Sequence, residues 1–292
     1  MNEFANYHPS VIFTYFLSAL LISCAYINPA SVFITFFASF SYCAVLKGKR
    51  TLYRNFVLMP LLLCAMGLIN PAFNHRGITI LAYLPSGNPL TAESIYFGFI
   101  AAGMALSVML YFSCFNEIMT SDKIIYIFGK IVPSLSLVFS MTLTIVPKLH
   151  QRIKAVSRSQ KCIGRSPSDG GILKRIKNGL AILSIMITWS MENAVETADS
   201  MKSRGFGTAK RTAFSIYYFT KRDKKALLVI CVLTIYVIFG GRMGVFNFTC
   251  FPYVTMAKIS LYGVSVYAAE LLLLLTPIII EITELEKWKY TN

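Results

Sequence analysis

The sequence has few charged residues, and few of those are acidic. Of its 292 residues, 14% are charged and 55% are hydrophobic, and the mean hydropathy is +0.60. Soluble domains typically carry about 25% charged residues. The composition therefore excludes an ordinary soluble protein and predicts an integral membrane protein with several spans. Only 13 acids oppose 28 lysines and arginines, which leaves a formal charge of +15.

Histidine and cysteine are too scattered to predict a metal or redox site. The three histidines are far apart, and no two of the seven cysteines form a Cys-x-x-Cys arrangement. Such cysteines are expected to be small buried apolar residues. The sequence also lacks the Gly-x-x-x-x-Gly-Lys-Ser/Thr loop that holds nucleotides. We therefore expect this chain to bind no metal ion and no cofactor, and any ATP chemistry to belong to another chain.

The positive charge is concentrated in one block. Between Lys148 and Lys225 lie 17 of the 28 lysines and arginines and five acids. A basic block between membrane spans marks a cytosolic face, and acidic lipid headgroups of the bilayer are its expected electrostatic partner. The block has no aromatic-interleaved groove and no known nucleic-acid motif, so we expect no nucleic-acid binding.

Apolar segments predict about six membrane spans, at residues 10–27, 29–46, 55–73, 92–116, 225–240 and 258–281. The connection that contains Lys47, Lys49, Arg50 and Arg54 is expected to be cytosolic under the positive-inside rule. This orientation places both termini in the cytoplasm of a multi-pass protein of the plasma membrane. Residues 1–10 lack a basic segment and a cleavage site, so the first span is expected to be a retained anchor.

The predicted fold is all-α and polytopic, with three parts along the chain. Residues 1–119 contain four membrane helices, and residues 225–292 contain two more and a cytosolic tail. Residues 120–224 form a cytosolic or interfacial region of long amphipathic helices. The apolar runs in this middle region, Pro133 to Val146 and Leu180 to Met191, are shorter than the roughly 20 residues that a span needs.

The first long helix of the middle region carries two stripes at steps of three and four residues. The apolar stripe is Leu149, Ile153, Val156 and Ile163, and the basic stripe is Lys154, Arg158, Lys161 and Arg165. The second long helix has an apolar face of Ile187, Met191, Ala194, Ala198 and Met201 and an acidic stripe of Glu192, Glu196 and Asp199. We hypothesise that the two helices cross through their apolar stripes, with some acids opposing some bases. The alternative is two separately solvated charged faces.

The second helix ends in the most informative stretch of the chain, Thr-Ala-Asp-Ser-Met-Lys-Ser-Arg-Gly-Phe-Gly at residues 197–207. Gly205 can adopt the left-handed conformation that ends helices, and Arg204 offers a planar, permanently charged donor group beside the open carbonyls. Such an end is suited to binding a partner. The alternative is a plain arginine and glycine helix stop.

Two cytosolic helices of this kind, one ending Ser-Gln-Lys-Cys-Ile-Gly and the other Ser-Met-Lys-Ser-Arg-Gly-Phe-Gly, resemble those of the transmembrane T component of energy-coupling factor (ECF) transporters. The resemblance extends over most of the chain and is strongest outside the spans. It implies a non-catalytic membrane scaffold that joins two ATP-binding-cassette ATPases to a small substrate-binding S component. ATP and Mg²⁺ would bind to the partner ATPases, and the S component would deliver a vitamin or metal ion.

The resemblance also implies which residues couple to the ATPases. Coupling helices of that family typically end in an Ala-Arg-Gly-like triplet that docks into a groove on each ATPase. Ser203, Arg204 and Gly205 match the second triplet. The first triplet departs from the pattern with Cys162, Ile163 and Gly164, whereas Gln160 matches the glutamine that usually precedes it.

The arginine missing from the first triplet leaves three alternatives open. Lys161 or Arg165 could supply the charge, or the groove that receives this helix is less acidic. The asymmetry would suit two different ATPase subunits, and a homodimer that tolerates both ends is also compatible with it.

Two rival classes of function predict different residues in the spans. A secondary transporter should have ionisable groups at mid-bilayer, and Glu270 is the clearest case. A membrane-embedded enzyme should have a cluster of reactive groups, for which His75, Arg76 and Glu93 are the candidates. Candidates for contact with another membrane protein are Gly98, Ala102 and Leu106, on one face of the fourth span, and Ala268 on the last span, because helix contacts in lipid rely on small residues.

Overall fold

The chain is largely helical. The structure is a computed structural model that describes residues 3–74, 76–83, 89–166, 171–208, 217–257 and 260–291. The helices are α1 Pro9–Ala25, α2 Pro29–Phe73, α3 Ala92–Ile118, α4 Ser121–Ile131, α5 Pro133–Cys162, α6 Ile172–Ser203, α7 Lys221–Arg242 and α8 Leu261–Thr291. Two short antiparallel hairpins pair β1 Ile80–Tyr83 with β2 Pro89–Thr91, and β3 Phe248–Thr249 with β4 Thr255–Met256. The predicted all-α polytopic fold is confirmed.

Four helical segments of the described chain are long and apolar enough to cross a membrane. They are Pro29–Gly48, Ala92–Ile118, Lys221–Arg242 and Leu261–Glu284, and two shorter apolar helices are Pro9–Ala25 and Met59–Phe73. All six lie at the predicted spans. The cytoplasmic position of both termini stays a prediction.

The chain forms two compact units. Residues 1–124 with 217–292 make up the first unit, which contains the apolar helices, and residues 125–216 make up the second. The predicted three-part division at residues 119/120 and 224/225 stays a prediction, because it refers to a bilayer.

Helix α2 divides into two segments at Gly48. This residue has φ 71° and ψ 178°, a backbone conformation that favours glycine because it has no Cβ. Phe36 and Phe40 before the turn, and Met59 and Leu63 after it, line the same apolar cavity of about 360 Å³. The two segments therefore face each other, as two consecutive spans would. Beside the turn, the Lys47 Nζ donates a 2.8 Å hydrogen bond to the Ser113 Oγ.

The third and fourth predicted spans approach closely at two glycines. A Cβ on Gly98 would lie 2.5 Å from the Gly67 carbonyl oxygen, so only glycine fits at this position. Gly98 is buried, and Ala102 and Leu106 on the same face are each only 2% exposed. For these three residues the predicted contact with another membrane protein is wrong, because helices of the same chain already cover them, whereas Ala268 of α8 is exposed.

Glu270 and Glu93, the candidates for a secondary transporter and for a membrane-embedded enzyme, each accept hydrogen bonds within the first unit. Glu270 of α8 is fully buried and accepts a hydrogen bond from the Ser31 hydroxyl of α2. The Glu93 Oε1 accepts hydrogen bonds from the Thr79 amide at 3.3 Å and the Thr79 hydroxyl at 2.5 Å, which holds the β1–β2 hairpin to α3. His75 lies outside the described residues. Both carboxylates therefore join elements of the fold, and among the described residues neither belongs to a group of three or more histidine, cysteine, aspartate or glutamate side chains. The cluster of His75, Arg76 and Glu93 stays a prediction.

Candidate functional site

Helices α5 and α6 pack against each other in antiparallel orientation. The Asn178 Nδ2 near the start of α6 donates a 2.9 Å hydrogen bond to the Ser166 carbonyl just after α5, and both residues are buried. Farther along, the Arg152 guanidinium carbon lies 5.6 Å from the centre of a Trp189 ring. The end of α5 is thus beside the beginning of α6, and the middle parts of the two helices also meet.

An apolar groove of about 510 Å³ runs between the two helices. Its lining includes Leu149 and Ile153 of α5 and Ile187, Met191 and Ala194 of α6. These residues belong to the two predicted apolar stripes. Ile187 and Met191 are nevertheless 53% and 68% exposed, whereas the buried apolar residues of α6 are Ile182 and Met186, which line the groove but lie outside the predicted stripe. The crossing through the predicted stripes therefore stays a hypothesis.

The charged stripes do not pair. All seven side chains of these stripes are exposed, namely Lys154, Arg158, Lys161, Arg165, Glu192, Glu196 and Asp199. Among these described residues, no acidic oxygen lies within 4.0 Å of a basic nitrogen. The structure thus favours the alternative of two separately solvated faces. The cation–π contact between Arg152 and Trp189 and the Asn178 hydrogen bond join the helices instead. No residue spacing within either helix signals these contacts, because each depends on the register between the two helices.

The α6 tip, residues 201–206, ends the helix with a Schellman motif. The Gly205 amide donates a 2.9 Å hydrogen bond to the Lys202 carbonyl, and the Phe206 amide donates a 3.0 Å hydrogen bond to the Met201 carbonyl. Gly205 has φ 79°, in the left-handed region, as the sequence predicts. Ser203, Arg204 and Gly205 are exposed. The motif satisfies carbonyls that would otherwise lack partners and leaves the Arg204 side chain accessible to a partner.

The α5 tip, residues 160–165, has the same backbone arrangement. The Gly164 amide donates a 3.0 Å hydrogen bond to the Lys161 carbonyl, and the Arg165 amide donates a 2.9 Å hydrogen bond to the Gln160 carbonyl. Gly164 has φ 74°. Cys162 and Ile163 are exposed and Gln160 is half-buried. Ile163 follows the last residue of α5, so its predicted place in the apolar stripe of that helix is wrong.

The two tips lie at opposite ends of the helix pair. Ser166, next to the α5 tip, is hydrogen-bonded to Asn178, and Arg204 follows Asn178 by 26 residues along α6. At 1.5 Å per residue this separation is about 39 Å. Two tips this far apart can bind two separate partner surfaces at the same time.

Titratable side chains that could hold a metal ion do not cluster in the described chain. No group of three or more histidine, cysteine, aspartate or glutamate side chains comes together among the residues that the structure describes. The accessible chemistry of the α5 and α6 tips is that of guanidinium groups, amide donors and apolar side chains, which suits protein binding.

Comparison with known proteins gives partial matches. No protein-family model matches the chain. It is 32% identical over 112 residues to the "Energy-coupling factor transporter transmembrane protein EcfT" of Lactobacillus helveticus, covering 38% of this chain and 40% of that protein. It is 33% identical over 103 residues to the protein of the same name from Leuconostoc gelidum, covering 35% and 38%. The Lactococcus lactis protein of that name is 29% identical over 113 residues, covering 38% and 42%. The chain thus spans about two fifths of the length of the curated relatives it matches.

Proposed function

We propose that this chain, for which several partial matches support the family of ECF transporter T components, is the membrane scaffold of an ATP-driven importer. In this role the chain itself catalyses no reaction. Two ATP-binding-cassette ATPase subunits bind its cytosolic helix tips, and a substrate-binding S component associates with it in the plasma membrane. ATP and Mg²⁺ bind to the ATPases.

One observation carries the proposal, namely the matched pair of tips on α5 and α6. Both end in the same hydrogen-bonded glycine motif, and both are exposed. The estimated separation of about 39 Å along α6 is large enough for two globular subunits to bind side by side. A plain helix stop requires neither the repeated motif nor an accessible basic residue at each end.

The coupling mechanism is mechanical. When ATP binding brings two ATPase subunits together, a helix tip held by each subunit moves with it. At the α6 tip, Arg204 forms charge-assisted hydrogen bonds with acidic groups of its groove, and Gly205 lets the backbone turn away from the partner. The Arg152–Trp189 and Asn178–Ser166 contacts make α5 and α6 respond as a pair. Their movement changes the orientation of the S component in the bilayer.

Substrate selection belongs to the S component in this proposal. A vitamin or a metal ion is the expected class of substrate, in keeping with micronutrient uptake. The described part of this chain offers a scaffold and contact surfaces. The same T component can therefore serve different substrates if different S components bind it.

The test is ATP-dependent uptake by vesicles that contain the full chain with its ATPases and S component. Arg204→Glu reverses the charge at the α6 tip, and we expect it to abolish uptake and weaken ATPase binding by about tenfold or more. Lys148→Glu is the control, because Lys148 is also an exposed basic residue of the helix pair but lies near the Arg152–Trp189 contact, away from both tips. Unchanged uptake by the Arg204→Glu variant would overturn the proposal.

A further inference from the structure

Cys43 of α2 and Cys114 of α3 bring their thiols together inside the first unit. The two side chains form a hydrogen bond with each other. Cys43 is 2% exposed and Cys114 is fully buried, and both are free cysteines. The sequence gives no sign of this pair, because the two residues are far apart in the chain and meet only where α2 packs against α3.

Contacts on both sides of the cysteine pair hold α2 and α3 in this register. The Phe16 ring of α1 has its centre 6.3 Å from that of the Tyr42 ring and 5.4 Å from that of the Phe115 ring. One helical turn farther along α2, the Lys47 Nζ donates a 2.8 Å hydrogen bond to the Ser113 Oγ of α3. The chain neighbours of each cysteine are therefore held by contacts of their own, which keep the two sulfur atoms together.

The pair lies close to an accessible part of the bundle surface. Lys47 and Glu117 follow Cys43 and Cys114 by about one helical turn, and the Lys47 Nζ lies 4.0 Å from the Glu117 Oε2. The Glu117 side chain is 58% exposed and the Lys47 side chain is 20% exposed. A small uncharged oxidant thus has only about one turn of packed side chains to cross. The Lys47 ammonium is a nearby positive charge of the kind that favours a reactive thiolate.

We propose that Cys43 and Cys114 form a reversible disulfide bond when hydrogen peroxide oxidises them, and that this bond locks α2 to α3. The inference is independent of the proposed function, because it involves no partner protein. Two thiols in contact need only a small approach to reach the S–S distance of about 2.0 Å. Disulfides in proteins of reducing compartments are usually transient and respond to oxidants, and a pair at the end of two packed helices suits that role.

The oxidation takes two steps. The thiolate sulfur of one cysteine attacks a peroxide oxygen, the O–O bond breaks, and a sulfenic acid forms while the released hydroxide takes up the proton of that thiol to become water. The sulfur of the second cysteine then attacks the sulfenic sulfur, the S–O bond breaks, and water leaves with the second thiol proton. The two sulfur atoms together lose two electrons, which reduce one hydrogen peroxide molecule to two water molecules. A dithiol reductant reverses the bond by thiol–disulfide exchange.

The experiment uses the full chain purified in detergent, freed from reductant and treated with hydrogen peroxide. The remaining thiols are blocked with N-ethylmaleimide, and a protease digest is analysed by mass spectrometry. We expect two peptides joined through Cys43 and Cys114, which separate again after treatment with dithiothreitol. The oxidised chain should also unfold at a midpoint about 5 °C or more above that of the same sample after reduction, because the bond closes a long loop of the unfolded chain.

Cys250→Ser is the control for Cys114→Ser. Cys250 is also buried, but its thiol donates at 3.3 Å to the Glu93 carbonyl and not to another cysteine. Cys250→Ser should keep the linked peptides and the higher midpoint of the oxidised chain, whereas Cys114→Ser should lose both. Circular dichroism should show the same helix content in both variants.

Three outcomes would overturn the inference. These are free thiols at Cys43 and Cys114 after oxidation, a bond from either of them to a different cysteine, or equal midpoints for the oxidised and reduced chain. The measurements on the wild-type chain give this answer even if Cys114→Ser fails to fold. None of these outcomes bears on the proposed function, which the uptake measurement tests separately.

Discussion

Gly164 and Gly205 occupy equivalent positions in two matching helix ends, with φ values of 74° and 79°. In each case the glycine amide bonds to the carbonyl three residues earlier, and the next amide bonds to the carbonyl five residues earlier. Helix ends form independently in many proteins, but here the same one occurs at opposite ends of a helix pair. Two copies of this helix end could bind two partner surfaces that accept the same backbone shape and contact different side chains.

Alanine at either glycine should destabilise its tip through backbone conformation alone. A Cβ on Gly164 would meet no atom within 4 Å, and one on Gly205 would meet only the Thr208 hydroxyl at 3.4 Å. The left-handed conformation itself costs an alanine about 1–2 kcal/mol. We expect Gly164→Ala and Gly205→Ala each to lower the free energy of unfolding in detergent by that amount. Asparagine should be tolerated better, since it adopts this conformation more readily.

Gly179 provides the control for the two tip glycines. It lies inside α6, where a Cβ would also meet no atom within 4 Å, and its φ is not positive. Gly179→Ala should therefore leave the free energy of unfolding unchanged or raise it by up to about 1 kcal/mol. Equal losses at Gly179 and at the tips would contradict the conformational explanation.

The contact between Arg152 and Trp189 should be measurable as a coupling energy. A double-mutant cycle with Arg152→Ala and Trp189→Ala is expected to give about 0.5–1 kcal/mol, as cation–π pairs at partly exposed sites do. The charge swap of Lys154→Glu with Glu196→Lys should give a coupling near zero, because these exposed residues do not pair in the structure. Recovery of stability in the charge swap would restore the hypothesis of opposing charged stripes.

The sequence predicted those features that depend on local patterns. The glycines of both tips could be predicted because a helix end needs a residue that tolerates positive φ. Helical periodicity defines a face within one helix and placed Leu149 and Ile187 along the groove, but it did not identify Ile182 and Met186 as the buried apolar residues of α6. The positions of six apolar helices follow from residue composition in the same way.

The features that sequence reasoning missed depend on register between helices. Periodicity placed Gly98, Ala102 and Leu106 on one face but could not show that α2 covers it. Stripes of opposite charge suggested ion pairs between the helices, yet an ion pair between two long exposed side chains contributes little free energy. The Asn178–Ser166 hydrogen bond has no sequence signal, because any buried amide can reach a carbonyl once the helices are aligned.

Close packing at Gly98 should make this position intolerant of any side chain. The Gly98→Ala Cβ would lie 2.5 Å from the Gly67 carbonyl oxygen, a backbone atom that moves only if a helix moves. We expect overpacking to cost about 1–3 kcal/mol and to lower the thermal unfolding midpoint in detergent. Gly263→Ala is the control, since its Cβ would make an ordinary contact of 3.6 Å with Val245. A similar midpoint for both variants would show that α2 and α3 do not approach this closely.

The buried pair of Ser31 and Glu270 should contribute to stability and not to proton-driven transport. Ser31→Ala removes the hydrogen bond that the Glu270 carboxyl accepts, and the Glu270 Oε2 has no hydrogen-bond partner within the described residues. Leaving a buried polar group without this donor costs about 1–3 kcal/mol. Glu270→Gln keeps an oxygen acceptor for Ser31, so ATP-dependent uptake should persist and should not respond to collapse of the proton gradient.

A second buried serine of α2 is the control for Ser31. The Ser39 hydroxyl is also fully buried, but it donates at 2.9 Å to the Phe36 carbonyl of its own helix. Ser39→Ala should lower the free energy of unfolding less than Ser31→Ala, because no group on another helix loses its donor. If the two serine variants unfold alike, the Ser31 bond does not stabilise the bundle.

If Glu270→Gln abolishes an uptake that follows the proton gradient, the chain is a secondary transporter and the scaffold proposal is wrong.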